Sequence, residues 1–322
     1  MKALVVGLGN IGMGYDLDLS PEEYIITHAS AFQSHPQFEL VGGVDKNQQN
    51  CDVFSEHYCR PAFTELKKAL VSTKPDIIAI ALPTELHSDA IEIVFKNLSP
   101  SIILCEKPLS YNLSDAKKIV SLCELNNCSL YVNYMRRSDP ASIEVLKRIK
   151  NNDLNTPLKG VVWYSKGLFN NGSHFFNLLQ SWLGEMDDYK IINSGRLWDG
   201  IDPEPDFQVT FDNSEITFLS AKEENFSHYT IELVAENGRL RIDQGGQKVV
   251  WQFSDDDKVA KRYTILSDEE EIIHSDMQRS QWNVAEQIAH LSSGEESYLC
   301  TGIDAILTLE ALENIRASLN VK

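Results

Sequence analysis

The chain opens with Ala3-Leu-Val-Val-Gly-Leu-Gly-Asn-Ile-Gly12, an apolar run that ends in three regularly spaced glycines. The run predicts a buried parallel strand, and G-x-G-x-x-G directly after a strand predicts a tight turn into a helix whose N-terminus binds a pyrophosphate. Glycines in such a turn can also serve chain geometry alone. Because the motif directly follows a strand-like run, we favour phosphate binding.

A second strand is predicted over Glu39 to Asp45, and it ends in an acidic side chain. A carboxylate at that position accepts the ribose hydroxyls of an adenosine and repels a 2′-phosphate. Asp45 therefore predicts NAD in preference to NADP, although the neighbouring Lys46 would offset part of its charge.

The interval between the two motifs indicates an inserted segment. Gly12 and Asp45 lie 33 positions apart, whereas the acidic residue ordinarily follows the glycine motif by about 20 positions. Ser20-Pro-Glu-Glu23 has the pattern of a capping box with proline at the first helical position, which predicts a helix from Pro21 to about Ser34. Residues 13–20 would then form a loop or broken helix, either a surface excursion or a segment that shapes the ligand site.

Strand and helix patterns alternate through Asn133, which predicts a doubly wound parallel sheet of the Rossmann type over residues 1–135. In such sheets ligands lie outside the carboxyl ends of the strands. Polar clusters fall at three of these ends: Pro83-Thr84 with His87, Glu106-Lys107-Pro108, and Asn133-Tyr134. Lys107 would point its ammonium into the crevice, where it could polarise a substrate oxygen or hold a nicotinamide ribose.

The pattern of apolar residues changes over residues 136–322. Short, alternating apolar stretches separated by turn signals predict a large, mostly antiparallel open sheet of about six to eight strands. Helical patterns accompany them at Gly172–Leu183, Ser280–Leu291 and Asp304–Leu319. The expected fold class is thus α/β plus α+β, in two domains divided after residue 135.

The amino-acid composition limits the classes of partner and site that we expect. A net charge of −18 without a basic cluster argues against nucleic acid. The six cysteines show neither C-x-x-C nor a zinc-type spacing, which predicts no metal site and a reduced, cytoplasmic location. No stretch of the sequence has the length of a membrane span. Signatures of serine hydrolases, zincins and P-loop kinases are missing from the sequence.

Several motifs together resemble the glucose-fructose oxidoreductase, inositol dehydrogenase and MocA family. The resemblance covers nearly the whole chain and rests on the following stretches: Gly7 to Gly12, Pro83 to His87, Glu106-Lys107-Pro108, Arg136-Arg137 before Pro140, Asn170 to His174, Glu236 to Leu240 and Gly302 to Ser318. Their order along the chain is more specific than any one of them.

The resemblance implies an NAD(P)-dependent oxidoreductase that acts on a sugar, cyclitol or nucleotide sugar. It also implies a role in surface-polysaccharide biosynthesis and assembly into a homo-oligomer (dimer or tetramer). Lys107 and His174 would be catalytic, the histidine as proton carrier. Without the resemblance, a half-buried core histidine is the simpler interpretation of His174. The predicted cofactor residues are Gly7, Gly9, Asn10, Ile11, Gly12, Asp45, Pro83, Thr84, His87, Glu106 and Lys107. The predicted substrate residues are Tyr134, Arg137, Lys166, Asn170, Asn171 and His174, with Arg196 as a further candidate.

One departure from the family pattern leaves alternatives open. The family commonly has Asp four residues before the histidine and often three after it, where this chain has Asn170 and Asn177. An amide orients an imidazole but cannot stabilise an imidazolium by charge. The alternatives are a non-catalytic dinucleotide-binding sensor and an enzyme that uses bound NAD internally for elimination or epimerisation.

Overall fold

A computed structural model describes residues 1–320 of the chain. Within them the chain forms two compact units, one of residues 1–138 and 278–306, the other of residues 139–277 together with the chain from 307 onward. The first division lies close to the expected boundary after residue 135, but the return of 278–306 to the first unit was not expected. Its cause is the apolar side of the helix over 280–293, whose Val284, Ala285 and Ile288 join the core of the first unit.

The helices and strands are named here in chain order. They are β1 (Lys2–Val6), α1 (His28–Ser34), β2 (Glu39–Val44), α2 (Gln48–Tyr58), β3 (Ala62–Phe63), α3 (Leu66–Thr73), β4 (Ile77–Ile80), α4 (His87–Asn97), β5 (Ile102–Cys105), α5 (Leu113–Leu125), β6 (Ser129–Val132), α6 (Pro140–Lys150), β7 (Lys159–Tyr164), α7 (Ser173–Leu183), β8 (Met186–Trp198), β9 (Asp202–Phe211), β10 (Ser214–Ser220), β11 (Thr230–Ala235), β12 (Gly238–Asp243), β13 (Lys248–Asp256), β14 (Thr264–Leu266), β15 (Glu271–Ile273), α8 (Ser280–Ser293), β16 (Cys300–Thr301) and α9 (Gly302–Ala317).

The first unit is built on a parallel sheet. Among its described residues, seven strands pair in the order β16-β6-β5-β4-β1-β2-β3, all parallel except β16, which runs antiparallel to β6. Every residue of β4 and β5 is buried, as expected for the continuous apolar runs of a sheet covered on both faces. The predicted Rossmann sheet is confirmed.

The second unit is built on a mostly antiparallel sheet, also as predicted. In the part of the chain that the structure describes, its strands pair in the order β14-β13-β12-β11-β7-β10-β9-β8, and β15 pairs with β13. Only the pairing of β7 with β10 is parallel. Phe207 and Phe218 stack at 4.7 Å between ring centroids, and Phe176 of α7 packs on Phe218 at 6.0 Å. This aromatic layer forms the centre of the unit's core.

The acidic stretch Glu269–Glu271 runs into a strand at its last residue. β15 begins at Glu271, whose carboxylate accepts two hydrogen bonds from Arg148 of α6, at 2.8 and 2.6 Å. The bidentate arginine makes the acidic side chain part of the sheet edge.

The helix after the glycine motif starts, stops and starts again. The Met13 N–H donates to the Gly9 carbonyl at 3.0 Å, which is one helical turn, and the chain then leaves the helix. It comes back at His28, whose N–H donates to the Ile11 carbonyl at 3.1 Å, while the Ala29 N–H reaches the Gly12 carbonyl at 3.0 Å. The two segments are therefore joined by helix-type hydrogen bonds across the gap.

The register of these bonds measures the insertion. An α-helical donor stands four residues after its acceptor, whereas His28 stands 17 after Ile11, so 13 residues are additional. Without them Gly12 and Asp45 would lie 20 positions apart, which is the ordinary spacing. The long interval in the sequence is thus a helix insertion, and we call residues 14–26 the excursion.

The predicted helix start at Pro21 is wrong, since α1 begins at His28. The Ser20 hydroxyl donates to the Glu22 carboxylate at 2.7 Å instead of capping a helix. The true cap is Thr27, whose hydroxyl accepts the Ser30 N–H at 3.3 Å. A threonine cap without a glutamate three residues later gave the weaker signal in the sequence.

Asp16 closes the excursion. Its carboxylate accepts the N–H groups of Ile26 at 2.8 Å and Thr27 at 3.0 Å, together with the hydroxyls of Thr27 at 2.7 Å and Ser30 at 2.5 Å. Between these ends, the outer part of the excursion borders a cavity of about 160 Å³ that α1 and the end of α2 also line. The excursion is therefore a surface feature along most of its length.

Two further properties concern the whole described chain. Among the helices of residues 1–320, none combines the length and the apolar composition that a bilayer crossing requires. Within the same residues, no group of three or more His, Cys, Asp or Glu side chains is placed to hold a metal ion.

Deletion of residues 14–26, which joins Met13 to Thr27, tests the helix register. We expect this variant to fold with one continuous helix as far as Ser34, because the bonds to Ile11 and Gly12 are kept. Deletion of only residues 14–24 leaves two extra residues and breaks that register, so its melting temperature should lie about 5 °C lower. Thermal unfolding followed by circular dichroism measures both, and equal melting temperatures would contradict the assigned register.

Candidate active site

The three glycines of the first unit have three different environments. Gly7 has φ +100°, and a Cβ there would lie 2.4 Å from the Ala81 carbonyl oxygen. A Cβ on Gly12 would lie 1.9 Å from the Gly7 carbonyl oxygen, whereas a Cβ on Gly9 would meet no atom within 4 Å. Two glycines are thus required by the turn itself, and the third lies beside open space.

This pattern fits a dinucleotide. Close packing at Gly7 and Gly12 brings the first helical turn onto the strand, and the open space at Gly9 is what a pyrophosphate needs to approach the backbone. Asn10 is exposed next to Gly9, and Ile11 is half-buried behind it. The residues present therefore fit an NAD-type cofactor at this turn.

Asp45 lies at the end of β2 and contacts the glycine turn directly. Its carboxylate accepts the Leu8 N–H at 2.9 Å, the Asn47 N–H at 2.8 Å and the Asn50 amide at 3.2 Å. A carboxylate offers about four acceptor positions, so one remains for a ribose hydroxyl. The structure brings Asp45 and the glycine motif together, as the sequence predicts.

The segment after β4 also lies at this edge of the sheet, but one of its predicted cofactor residues differs from expectation. Pro83 is exposed and Thr84 begins a short 3₁₀ turn that leads into α4. His87 is fully buried, and its ring nitrogens lie 3.1 Å from the Leu109 carbonyl and 2.9 Å from the Leu82 carbonyl. Its imidazole therefore ties two loops of the crevice together and has no ring nitrogen left for a cofactor.

Glu106 and Lys107 follow β5, and the Lys107–Pro108 peptide is cis. Glu106 Oε1 accepts hydrogen bonds from His28 Nε2 at 2.9 Å and from Asn133 Nδ2 at 2.6 Å. Burial raises the pKa of the Glu106 carboxyl, but the hydrogen bonds from His28 and Asn133 and the charge of Lys107 outweigh it and hold the pKa below its usual value. Glu106, directly before Lys107, thus carries an ionised carboxylate.

Two predicted substrate residues of the first unit are largely buried within it. Tyr134 is 5% exposed. The Arg137 side chain is 9% exposed, and its Nη1 lies 2.9 Å from Asp304 Oδ2. This ion pair anchors the start of α9, which gives Arg137 a structural role that its sequence position did not reveal.

The remaining predicted residues lie in the second unit, around a π-helix (Gly167–Gly172) that runs directly into α7. Short π-helices often occur at functional sites. Asn170 and Asn171 lie on the π-helix, and the Asn171 amide donates to the Tyr229 hydroxyl at 2.8 Å. His174 is the second residue of α7 and is 7% exposed.

Lys166 precedes the π-helix in a left-handed conformation, with φ +63°. Its ammonium lies 3.1 Å from Glu223 Oε1, and the Ser165 hydroxyl donates to the same carboxylate at 2.7 Å. Burial raises the pKa of Glu223, but donors from Ser227, Ser165 and Lys166 outweigh it, so the pKa is lowered. The Tyr229 hydroxyl also donates to Glu223, at 3.2 Å, which links this carboxylate to Asn171.

Two carboxylates of β9 hold the π-helix, and neither was expected from the sequence. Asp202 accepts the N–H groups of Phe169 at 3.0 Å and Asn170 at 2.8 Å. Glu204 accepts the Gly167 N–H at 3.1 Å. These are N–H groups at a helix start that lack intrahelical acceptors, so β9 determines where Asn170 and Asn171 lie.

The asparagine three residues after His174 is a core residue. Asn177 is fully buried, and its amide donates to the Thr308 hydroxyl of α9 at 2.9 Å. Thr308 in turn donates to the Gln180 side chain at 2.7 Å. An amide at 177 therefore fits a neutral network between α7 and α9.

His28 is a residue of the crevice that was not expected from the sequence, and Asn133 was expected there without a role. Counting 20 positions back from Asp45 leads to Ile25, three residues before α1 begins at His28. For Asn133 the only signal was its position after a buried strand.

A matched pair of alanine substitutions tests whether the glycine turn forms a cradle for the pyrophosphate. Gly12→Ala places a methyl group against the Gly7 carbonyl, and we expect a loss of about 3 kcal/mol in the free energy of unfolding. Gly9→Ala has room for its methyl group, so its stability should stay near wild type while NADH binding weakens at least tenfold. Denaturant unfolding and NADH fluorescence titration measure the two effects, and wild-type NADH affinity in Gly9→Ala would contradict the cradle.

Comparison with known proteins agrees with this geometry. Over 130 residues, which are 40% of this chain and 37% of the relative, the sequence is 26% identical to inositol 2-dehydrogenase of Rubrobacter xylanophilus. The chain spans about a third of the length of the curated relatives it matches.

Solved structures extend the likeness of the fold to the whole chain. An oxidoreductase from Agrobacterium radiobacter in complex with NAD+, L-tartaric acid and magnesium has a TM-score of 0.76 at 16% identity, over 99% of this chain and 96% of that one. The WlbA dehydrogenase of Bordetella pertussis, in complex with NADH and UDP-GlcNAcA, also has a TM-score of 0.76 at 16% identity, over 99% and 95% of the two chains. At these identities the likeness concerns the fold alone.

The family model of the Gfo/Idh/MocA oxidoreductases, described as an oxidoreductase family with an NAD-binding Rossmann fold, matches residues 1–134. The resemblance on which the sequence analysis relied is therefore confirmed for the part of the chain that carries the glycine turn, Asp45 and Lys107. Residues 1–134 of this chain are thus similar to the Gfo/Idh/MocA family of oxidoreductases with an NAD-binding Rossmann fold.

Proposed function

We propose that this protein is an NAD(H)-dependent oxidoreductase that transfers a hydride between nicotinamide and a hydroxyl- or carbonyl-bearing carbon of a sugar, cyclitol or nucleotide-sugar derivative. The observation that carries the proposal is the glycine turn, where Gly7 and Gly12 are packed and Gly9 borders open space. The match of residues 1–134 to an NAD-binding oxidoreductase family supports it.

Lys107 and His174 are the proposed catalytic residues. NAD, when bound, supplies the hydride acceptor or donor. The Lys107 ammonium, kept beside the ionised Glu106, donates a hydrogen bond to the reacting oxygen and stabilises negative charge that develops there. The His174 imidazole takes the hydroxyl proton during oxidation and returns it during reduction, a role that histidine commonly performs in enzymes.

The substrate class is proposed from the polar groups around the π-helix. The Asn171 amide, the Tyr229 hydroxyl and the Glu223 carboxylate form a connected set of donors and acceptors. Such a set suits a molecule with several hydroxyl groups. The related inositol 2-dehydrogenase and the WlbA dehydrogenase bound to UDP-GlcNAcA suggest cyclitols and nucleotide sugars as the first candidates.

A cofactor titration followed by a substrate screen tests the proposal. Purified protein is titrated with NADH and with NADPH, with nicotinamide fluorescence as the signal. Pools of cyclitols, free sugars and nucleotide sugars are then added with NAD or NADH. We expect NADH to bind more tightly than NADPH and one pool to change the nicotinamide absorbance, whereas failure of both dinucleotides to bind would refute the proposal.

The same titration distinguishes the two alternatives. Tight NADH binding with no reduction across all pools would favour a non-catalytic sensor, for which Asn170 in place of the family's common aspartate is the motivating residue. NAD that remains bound through purification would favour internal redox use in elimination or epimerisation. A cytoplasmic location and a homo-oligomeric assembly, dimer or tetramer, belong to the proposal as well, and size-exclusion chromatography with light scattering checks the assembly.

Substitution of the two catalytic residues tests their roles. We expect Lys107→Ala and His174→Ala to lower turnover at least about 100-fold, the usual scale for loss of a proton-transfer group. NADH affinity should change less than about threefold for His174→Ala. The control is His57→Ala, an exposed histidine of α2, which should retain wild-type turnover. Unchanged turnover in either catalytic variant would remove that residue from the mechanism.

Asp45→Asn tests the cofactor preference. The remaining oxygen can still accept the Leu8 N–H and the Asn50 amide, but the new NH₂ group cannot accept the Asn47 N–H, so we expect a loss of about 1 kcal/mol in the free energy of unfolding. Loss of the negative charge removes the repulsion of a 2′-phosphate, and we expect the ratio of NADPH to NADH affinity to rise about tenfold. An unchanged ratio would mean that Asp45 does not determine cofactor choice.

A further inference from the structure

Ile25 to His28, which lead from the end of the excursion into α1, are held from two sides: His28 bonds to the glycine turn, and Ile25 bonds to the start of α8. We call these residues the return arm. The Ile25 N–H donates to the Gln278 carbonyl at 3.1 Å, and the Gln281 N–H donates to the Ile25 carbonyl at 3.1 Å. Gln281 lies in the first turn of α8, where N–H groups lack intrahelical acceptors. The return arm therefore holds the start of α8.

Two side chains governed by this arm converge on Glu106. His28, at the end of the arm, places Nε2 2.9 Å from Glu106 Oε1, and its ring is only 1% exposed. Gln281 Oε1 accepts one hydrogen bond from the Asn133 amide at 3.2 Å, and the same amide nitrogen donates to Glu106 Oε1 at 2.6 Å. Both routes end on one carboxylate oxygen.

The orientation of Asn133 follows from these contacts. An asparagine side chain can be reversed, with its oxygen and nitrogen exchanged, and the hydrogen-bond partners decide between the two orientations. Here the nitrogen faces two acceptors, Glu106 and Gln281, which fixes it as the donor. Asn133 is 3% exposed and is thus a rigid, buried donor to Glu106.

We propose that the return arm and Asn133 position the Glu106 carboxylate next to Lys107, His28 acting on it directly and Gln281 acting through Asn133. His28, Asn133 and Gln281 are positioning residues in this arrangement. The inference rests on the proposed function in one respect, since it gives Lys107 a catalytic role. It gives a function to the return arm, whereas the outer part of the excursion lies on the protein surface.

Loss of His28 should change the pKa of Glu106 in a definite direction. The titratable groups that face Glu106 are His28 from α1, Lys107 from the next position, and the thiol of Cys105, whose own pKa is raised by burial and by the charge of Glu106. Burial favours the protonated Glu106, so removal of a donor raises its pKa. Lys107 then loses its anionic neighbour at a higher pH than in the wild type.

Direct titration of Glu106 by NMR tests the proposal in the full-length protein. Glutamate labelled with ¹³C at the carboxyl carbon reports each Glu side chain, and Glu106→Gln identifies the signal of interest. We expect the midpoint of Glu106 to rise by about one pH unit in His28→Ala and in Asn133→Ala. His28→Gln, which keeps an amide donor on the arm, should restore most of the shift.

His35 provides a matched control. Its ring is also 1% exposed, and its Nε2 lies 2.7 Å from a carboxylate oxygen of Glu286 in the same unit. His35→Ala removes a buried imidazole with a carboxylate partner, and it should leave the Glu106 midpoint unchanged. A shift of equal size in His35→Ala would show that general loosening of the unit moves Glu106, and would overturn the inference.

The experiment separates this inference from the proposed function. Because the NMR midpoint requires no turnover, a failure to find any substrate counts against the oxidoreductase proposal alone. An unmoved midpoint in both Asn133→Ala and His28→Ala, with folding confirmed by circular dichroism, overturns the positioning role even in an active enzyme. Asn133→Ala supplies this test by itself if His28→Ala does not fold. Where turnover is measurable, the acid limb of the kcat profile should move upward by the same amount, with the KM for NADH within about threefold of wild type.

Discussion

The amino-terminal unit depends on two backbone hydrogen bonds, from His28 to the Ile11 carbonyl and from Ala29 to the Gly12 carbonyl. They make one helix out of two chain segments separated by the excursion. The anion affinity of a glycine turn comes from the free N–H groups and the dipole of the helix that follows it. A helix that ended at Met13 would supply one turn of that dipole, whereas the bonded continuation through α1 supplies several. The insertion is tolerated because these bonds keep the two segments in helical register.

Carboxylates perform much of the local organisation in both units. Asp16 receives the N–H groups of the return arm, Asp45 receives the Leu8 N–H of the glycine turn, and Asp202 receives two N–H groups of the π-helix. Each is an acceptor for backbone donors that have no partner in regular secondary structure. Part of the strongly acidic composition of the chain thus has a structural role.

The sequence was sufficient where the signal is local. Apolar runs such as those of β4 and β5 predicted the parallel sheet, and the glycine spacing predicted the turn, because each depends on residues a few positions apart. The start of α1 was mispredicted because Pro21 and Glu23 form a strong local capping pattern, and the long-range hydrogen bonds of Ile25 and Thr27 outweigh it. Local propensity is a weak prior against tertiary hydrogen bonds of this kind.

The roles of polar residues were the least predictable part of the candidate site. His87 was expected at the cofactor, yet its two ring nitrogens face main-chain carbonyls. His28 was overlooked, because its importance comes from Glu106, 78 positions away in the sequence. The chemistry of a side chain is readable from its type, but its partner depends on topology, which no short motif specifies.

The cations assigned to substrate recognition illustrate how partners decide function. Arg196 donates its Nε–H to Glu204, a carboxylate only 1% exposed, and loss of that pair would leave a buried charge unpaired at a cost of several kcal/mol. Its two Nη groups donate to Glu224, which is 62% exposed. The Lys166 ammonium pairs with Glu223 at a site where the lysine is 38% exposed, and such pairs contribute about 1 kcal/mol or less. A phosphate or carboxylate on a substrate can replace Glu223 at small cost. Both basic residues can therefore exchange one carboxylate for a ligand, Lys166 its Glu223 and Arg196 its Glu224, while the Nε–H of Arg196 stays on Glu204 and remains part of the scaffold that holds the π-helix.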